Sequence, residues 1–304
     1  MSHEHNHGAG APTNRLWFAF GVTATVMIVE VIGAVVTSSL AVLVDLGHVL
    51  TDLLGLGMAL IAAKLAVRQA SKQRTWGWAR AEVLAAAMQA IILIGVGVYA
   101  VAEAIRRFII PPQIEGMGLL MVGIIGLLGN IASLIVLSGA REHNLNMRAA
   151  FLEVLNDALG SVAVIASAII ISTTGWHQAD SIASLIIAML IVPRAVVILR
   201  SAARILMEFT PKELDLDEVR KHLLGLEHVM QVHDMHASTI GTGQNTFSAH
   251  IILSDECFAQ GHGLDVLLNA EQCLREHHGV SLTHTTLQLE PAGFRHSHDD
   301  IVHK

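Results

Sequence analysis

The chain has 304 residues, of which 53% are hydrophobic and 15% are charged, and its mean hydropathy of +0.55 excludes an ordinary soluble globular domain. The net charge of −7 is small for this length and the lysines and arginines are scattered, which excludes a nucleic-acid-binding surface. The two cysteines, Cys257 and Cys273, lack the spacing of a disulfide framework or a thiolate zinc site, and we expect reduced thiols in the cytosol. Composition therefore indicates a membrane protein.

Six apolar segments are long enough to cross the hydrocarbon core of a bilayer, which takes about 20 helical residues. The predicted spans cover residues 16–37, 40–63, 83–104, 117–138, 149–172 and 181–199. Short cytoplasmic loops retain Lys and Arg, so the basic residues near the spans set the predicted orientation. Only Arg106 and Arg107 lie on the side opposite the N-terminus, whereas ten basic residues lie on the N-terminal side: Arg15, Lys64, Arg68, Lys72, Arg74, Arg80, Arg141, Arg148, Arg200 and Arg204. We therefore expect a multi-pass protein of the cell membrane with both termini in the cytosol.

From Thr210 onward the composition becomes polar and predicts a small cytosolic α/β domain. The stretch "TPKELDLDEVRKHLLGL" is typical of a capped amphipathic helix with Pro211 near its start. Two strand-like stretches follow, "HVMQVHDMHASTI" and "TFSAHIIL", then a helix around 263–278 and a last strand in "LTHTTLQLE". The predicted order is helix, strand, strand, helix, strand. The predicted division of the chain is a His-rich cytosolic tail at 1–14, a six-helix transmembrane domain at 15–209, a cytosolic metal-binding domain at 210–292 and a His-containing tail at 293–304.

The second predicted span carries three ionisable residues, Asp45, His48 and Asp52. Each such group inside a span costs roughly 2.5 to 3.5 kcal/mol on insertion scales, so something must offset that cost. His48 and Asp52 are four positions apart, which places both side chains on one face of a helix. Asp45 lies one turn earlier on roughly the same side. It either orients the imidazole of His48 or is a water-exposed group near the mouth of the span.

The fifth predicted span repeats this spacing, because Glu153 and Asp157 are also four positions apart. Two helices that each offer such a pair can surround one cation with four donors, the number that a tetrahedral zinc site requires. A divalent cation among carboxylates would offset the insertion cost. Isolated acids such as Glu30 have a structural alternative, a hydrogen bond to a neighbouring helix. The two spaced pairs favour a metal or proton site.

Five motifs occur in order along the chain: "SLAVLVDLGHVLTD", "RTWGWARAEVLAA", "LNMRAAFLEVLNDALGSVAVI", "DSIASLIIAMLIV" and "VHDMHASTIGTG". Together they resemble the cation diffusion facilitator family of zinc transporters, from the first span to about Glu290. The resemblance implies a homodimer of six-helix protomers, each with a cytosolic metal-binding domain. It also implies export of zinc or a similar divalent ion from the cytosol, commonly in exchange for protons.

Within this resemblance, His48 and Asp52 match the second-span half of the family's transport site, and Asp157 matches the second acid of the fifth span. Glu153 departs from the pattern, because zinc-exporting members usually carry His there. A carboxylate adds a negative charge and is a harder donor than an imidazole. Zinc remains the first expectation, and cadmium, cobalt, iron and manganese are the alternatives.

The resemblance also implies cytosolic metal ligands at His233, His250, His262 and Glu290. A metal bound there, near the dimer contact, would be a structural or regulatory zinc ion. Alternation along the second strand directs His250 away from Phe247. The alternative is that these histidines lie on a solvent-exposed face of the sheet and bind no metal.

Histidines also cluster in both tails, at His3, His5, His7, His296 and His298. We expect weak capture of cytosolic metal there, and the alternative is a solvated low-complexity fringe.

The expected function is a secondary active transporter that exports divalent metal cations, and not an enzyme. A membrane-embedded metalloenzyme is the rival, but it would need an open coordination position and a general base, and no HExxH or comparable catalytic motif occurs. A scaffold with an inert membrane part would have no reason to bear the insertion cost of the paired ionisable groups.

Overall fold

The computed structural model describes residues 10–66, 70–138, 145–241, 243–276, 282 and 284–292. The predicted tail histidines His3, His5, His7, His296 and His298 lie outside these residues. Six long helices come first: α1 (Gly10–Thr37), α2 (Leu40–Ala66), α3 (Ala81–Ile109), α4 (Gly116–Ser138), α5 (Leu145–Thr174) and α6 (Gln178–Leu206). The shorter elements follow: α7 (Leu216–Leu224), β1 (Val229–Gly241), β2 (Gln244–Leu253), α8 (Asp255–Gln260), α9 (Gly263–Glu276) and β3 (His284–Pro291). The predicted fold class is confirmed.

Five of the described helices, α1, α3, α4, α5 and α6, are long and apolar enough to cross a membrane. Helix α2 has 27 residues and carries the ionisable groups of the second predicted span. Large apolar side chains cover the outside of the helices; Val35, Ile109 and Met189 are exposed by 78%, 75% and 74%. Apolar exposure on this scale suits a surface in contact with lipid rather than water. The protein is therefore a multi-pass membrane protein.

The chain divides into two compact units. The helical unit comprises Met1–Gly57 and Met88–Leu199, and the mixed unit comprises Met58–Ala87 and Arg200–Lys304. All four predicted membrane ligands belong to the helical unit, and all predicted cytosolic ligands belong to the mixed unit.

Helix α4 packs between α1 and α5 in the helical unit. Its glycines leave no room for side chains: a Cβ on Gly123 would lie 2.8 Å from Ile165 of α5, and one on Gly129 would lie 2.6 Å from Val26 of α1. Small residues let membrane helices approach closely, since van der Waals packing is what holds them together in lipid. The position of α5, and of the acids on it, is thereby fixed.

Asp180 of α6 holds the start of α2. It is fully buried, and its carboxylate accepts hydrogen bonds from the Ser39 hydroxyl at 2.5 Å and from the Leu40 backbone N–H at 2.6 Å. Ser38, just before, has a φ of 54°, which turns the chain from α1 into α2. A carboxylate at a helix N-terminus accepts hydrogen bonds from the backbone N–H groups that have no acceptor within the helix. Its negative charge also complements the helix dipole.

The mixed unit contains a three-stranded sheet of order β1-β2-β3, with β1 and β2 antiparallel and β2 and β3 parallel. Helix α7 packs on β1, and α9 packs on β3 and on α7. The alternating burial of β2 puts Phe247 and Ile251 into the core with Leu223 and Leu274. His250 lies on the opposite face of the strand, as the alternation predicts.

Two details of this unit differ from the prediction. Helix α7 begins at Leu216, not near Pro211, because Asp215 is its N-cap and accepts hydrogen bonds from the N–H groups of Asp217 and Glu218. The preceding residues form a turn in which the Leu214 N–H donates to the Pro211 carbonyl. The short helix α8, between β2 and α9, was not predicted.

Candidate metal centre

The α2 half of the site is formed by His48 and Asp52, which face the same side of the helix, as their spacing predicts. His48 is only 3% exposed, and its Nε2 atom lies 3.4 Å from Oδ2 of Asp52. The other oxygen of Asp52 accepts a hydrogen bond of 3.1 Å from the Nε2 amide of Gln89 on α3. Gln89 therefore holds the carboxylate in place and leaves Oδ2 directed at the imidazole.

The α5 half completes a four-donor cluster. His48 Nε2 lies 3.5 Å from Oδ1 of Asp157 and 3.8 Å from Oε1 of Glu153. Donor atoms of His48, Asp52 and Glu153 all lie within 4.8 Å of one another, whereas Asp157 is not a member of this group and approaches the site through His48. The structure thus brings together all four membrane residues that the sequence singled out.

Hydrogen bonds within the described part of the chain satisfy Asp52 and Glu153 but leave other atoms of this cluster without a partner. Neither ring nitrogen of His48 has a hydrogen-bond partner there, and neither does Oδ1 of Asp157, although all three atoms are buried. Buried polar atoms are nearly always paired, because leaving one unpaired costs free energy. One imidazole nitrogen with carboxylate oxygens of three residues around it is a donor set that a cation could satisfy.

Sequence reasoning missed Arg194, which is part of the same site. This residue lies in α6, and its guanidinium donates to both carboxylate oxygens of Glu153. The sequence does carry a signal for Arg194, since a charged residue inside a predicted span indicates a functional site. Arg194 lies in the sixth predicted span, as His48 and Asp52 lie in the second. It was overlooked because no second ionisable residue follows it at helical spacing.

Asp45 is buried, with 5% exposure, and lies against α5, where a Cβ on Gly160 would be 3.0 Å from its Oδ1. This placement gives no support to a water-exposed group. Nor does Asp45 hydrogen-bond to the imidazole of His48, whose ring nitrogens have no such partner among the described residues. Its neighbour is instead the buried carboxyl group of Glu30 on α1.

A second cluster lies on the sheet of the mixed unit. Glu290, 2% exposed, has its Oε1 2.8 Å from Nδ1 of His250 and its Oε2 3.2 Å from Nε2 of His233. The two histidines face each other across β1 and β2. These three residues form a group that could hold a metal ion. His262 lies elsewhere, with its ring centroid 5.4 Å from that of His228.

Two family descriptions match this chain in succession. Residues 16–207 match the cation efflux transmembrane domain, and residues 211–292 match the cytoplasmic domain of cation efflux proteins. The chain belongs to the cation efflux family, the cation diffusion facilitators. Members of this family are transporters rather than enzymes, so the metalloenzyme alternative is rejected.

Several curated relatives of this cation efflux protein match over nearly their whole length. The metal cation efflux system protein CzcD of Cupriavidus metallidurans is 39% identical over 290 residues, which cover 95% of this chain and 90% of the relative. The cadmium, cobalt and zinc/H(+)-K(+) antiporter of Bacillus subtilis is 38% identical, with coverage of 98% and 94%. The zinc transporter ZitB of Escherichia coli is 37% identical, with coverage of 95% and 93%.

Proposed function

We propose that this protein exports divalent metal cations, zinc foremost, from the cytosol in exchange for protons, and that His48, Asp52, Glu153 and Asp157 bind the transported ion. The observation that carries the proposal is the convergence of three carboxylate oxygens on one imidazole nitrogen, at 3.4, 3.5 and 3.8 Å. The names of the relatives support it, since they include zinc, cadmium and cobalt.

The spacing of the donors suits a tetrahedral ion. Ligands at about 2.0–2.2 Å from a tetrahedral zinc ion lie about 3.3–3.6 Å from one another. An octahedral Mg²⁺ at about 2.0–2.1 Å would bring adjacent ligands to about 2.9 Å. The distances from His48 Nε2 to Asp52 and Asp157, 3.4 and 3.5 Å, fall in the tetrahedral range, and the distance of 3.8 Å to Glu153 is slightly longer. This geometry favours zinc, with cadmium and cobalt next and the harder ions iron and manganese after them.

Exchange with protons follows from the chemistry of the donors. Carboxylates and a neutral imidazole bind metal only when deprotonated, so loading the ion releases protons, and protons taken up from the other side help to expel it. A site between helices near the middle of a membrane can be exposed to each side in turn when helix groups rock about it. The antiporter name of the Bacillus relative supports this coupling.

The proposed arrangement in the cell has both termini in the cytosol and the protein in the cell membrane, as the ten basic residues on the N-terminal side indicate. We propose a homodimer with a transmembrane domain at 15–209, a cytosolic domain at 210–292 and tails at 1–14 and 293–304. The matches at 16–207 and 211–292 support these boundaries.

The cytosolic cluster has a regulatory or structural role in this proposal. A zinc ion held by His233, His250 and Glu290 would stabilise the sheet and report the cytosolic metal concentration. The distances of 2.8 and 3.2 Å from Glu290 to the two imidazoles support a shared ligand. We leave His262 out of the proposed ligand set, because it lies beside His228 and is not a member of the group formed by His233, His250 and Glu290.

Transport by the purified protein tests the proposal. In proteoliposomes with an imposed pH gradient, the wild-type protein should move zinc, and Asp157→Ala should abolish that movement because it removes one of the four donors. Glu256→Ala is the matched control, since it removes an exposed carboxylate on α8. A wild-type protein that moves no divalent ion, or an Asp157→Ala protein that moves zinc at the wild-type rate, would contradict the proposal.

A further inference from the structure

Arg194 is a full positive charge in the middle of an apolar helix, in the stretch "LIIAMLIVPRAVVIL" of α6. An arginine within a span is costly unless it pairs with an acid or reaches water. Its side chain is 42% exposed, and its guanidinium pairs with the carboxylate of Glu153 on α5. The arginine and the glutamate therefore form an ion pair between two membrane helices.

The ion pair between Arg194 and Glu153 is bidentate. The two terminal nitrogens of the guanidinium donate to different oxygens of the Glu153 carboxylate. Bidentate pairs of this kind are stronger and more directional than single ion contacts, and a lysine cannot reproduce them. Glu153 also lies farther from His48 Nε2, at 3.8 Å, than the donors of Asp52 and Asp157 do, at 3.4 and 3.5 Å. The guanidinium thus shares the oxygens that Glu153 would offer to a metal ion.

The formal charges of the cluster explain why such a pair is useful. Counting only the four proposed ligands in their metal-binding forms, three carboxylates and a neutral imidazole carry a formal charge of −3, and the guanidinium brings the sum to −2. A divalent cation neutralises −2 completely, whereas it would leave an excess negative charge on a cluster of −3. Uncompensated charge in a low-dielectric site is expensive, so the charge of −2 fits a divalent ion best.

We propose that Arg194 is a specificity-determining residue of this site: by holding Glu153 through both oxygens, it lowers the formal charge of the proposed ligand set from −3 to −2 and weakens one of its three hard carboxylate donors. The imidazole of His48 then contributes a larger share of the coordination, which favours zinc over harder ions such as Mn²⁺. Without Arg194, both oxygens of Glu153 are free to bind the metal ion. The set of ligands then has more hard, oxygen character. This inference rests on the proposed transport site and adds how that site selects its ion.

Competition between Zn²⁺ and Mn²⁺ in proteoliposomes tests the inference, with uptake of both ions measured by mass spectrometry. Arg194→Gln should shift the zinc-to-manganese uptake ratio toward manganese by about tenfold. Glu153→Gln should depress uptake of both ions, because Arg194 then lacks its partner and the cluster carries only −1. The double variant Glu153→Gln/Arg194→Gln restores −2, and its zinc uptake should recover to within about threefold of wild type.

Arg106→Gln is the matched control, because it also removes an arginine from a carboxylate, that of Glu103 on α3, and it lies outside the site. Its uptake ratio should equal that of the wild type. The inference is overturned if Arg194→Gln gives the same ratio as Arg106→Gln. It is also overturned if the double variant transports zinc no better than Glu153→Gln, a comparison that decides the matter even if Arg194→Gln does not fold.

The same variants separate this inference from the proposed function. If the wild-type protein moves no ion, the proposed transport function fails, and equilibrium binding of Zn²⁺ and Mn²⁺ to the purified proteins still measures the shift in preference. A merely structural ion pair would alter the yield or thermal stability of the variants but would leave the ratio of the two ions unchanged.

Discussion

Nε2 of His48 on α2 lies 3.5 Å from Oδ1 of Asp157 on α5, and both atoms are buried without a hydrogen-bond partner in the described part of the chain. The two residues come from separate pairs at helical spacing, so this contact, like that of His48 with Glu153, joins the two halves of the site. The contact brings two costly pairs of ionisable groups together as one candidate donor set for a cation.

Replacing Glu153 by the imidazole that the family resemblance leads one to expect should weaken the site. Glu153→His leaves Arg194 without its carboxylate and reduces the formal charge to −1, so zinc uptake should fall by at least about tenfold. Glu153→His/Arg194→Gln carries −2 and two imidazoles, and it should regain zinc uptake with less manganese uptake than the wild type. Proteoliposome uptake of both ions checks this.

The wild-type protein and Arg106→Gln serve as references for the histidine variants. If Glu153→His takes up zinc at the wild-type rate, the prediction is wrong. The positive charge of Arg194 would then not need the carboxylate of Glu153 for the site to bind zinc.

The sequence predicted those residues of the site that lie four positions apart on one helix. His48 with Asp52, and Glu153 with Asp157, share a helix face at four-residue spacing, and that pattern is visible in one dimension. The partnership of Arg194 with Glu153 depends on how α5 and α6 pack, and a single charge in a helix does not reveal its partner.

In the fold, too, the features that local sequence determines were predicted, and those that depend on three-dimensional geometry were not. Hydrophobic length alone predicted the six long helices, because a bilayer sets the number of residues required. The start of α7 was placed too early because both Pro211 and Asp215 are helix-start residues, and only the backbone geometry of Asp215 decides between them. His262 was grouped with His233 and His250 because the resemblance carried no distances.

Removal of the carboxylate at the start of α2 should destabilise the helical unit. Asp180→Ala leaves the Ser39 hydroxyl and the Leu40 N–H buried without their acceptor, at a cost of about 2 kcal/mol. The measurement is the midpoint of thermal unfolding in detergent. Thr173→Ala is the control, because that hydroxyl is exposed and donates only to the carbonyls of Ile169 and Ile170 in its own helix. Equal midpoints for the two variants would contradict the role of Asp180.

Zinc binding to the cytosolic cluster should depend on His233 and not on His262. With the membrane site disabled by Asp157→Ala, calorimetry of the full-length protein should detect binding at the remaining sites. Adding His233→Ala should lower that affinity by at least about tenfold, because it removes a ligand beside Glu290. Adding His262→Ala should leave it unchanged, since His262 lies beside His228. If His262→Ala causes the larger loss, the ligand set is wrong.

Both cysteines should resist alkylation in the native protein near neutral pH. Cys257 and Cys273 are free and buried, and burial raises the pKa of the Cys273 thiol above its ordinary value. The thiolate is the reactive form, so a raised pKa lowers its fraction at neutral pH and moves the onset of reaction to higher pH. Intact-mass measurement after iodoacetamide treatment should find no adduct on the folded protein and adducts on both residues in denaturant. Cys273→Ser, which should lose one of the adducts formed in denaturant, identifies which thiol reacts. Rapid alkylation of the folded wild-type protein at neutral pH would show that at least one thiol is accessible and ionised.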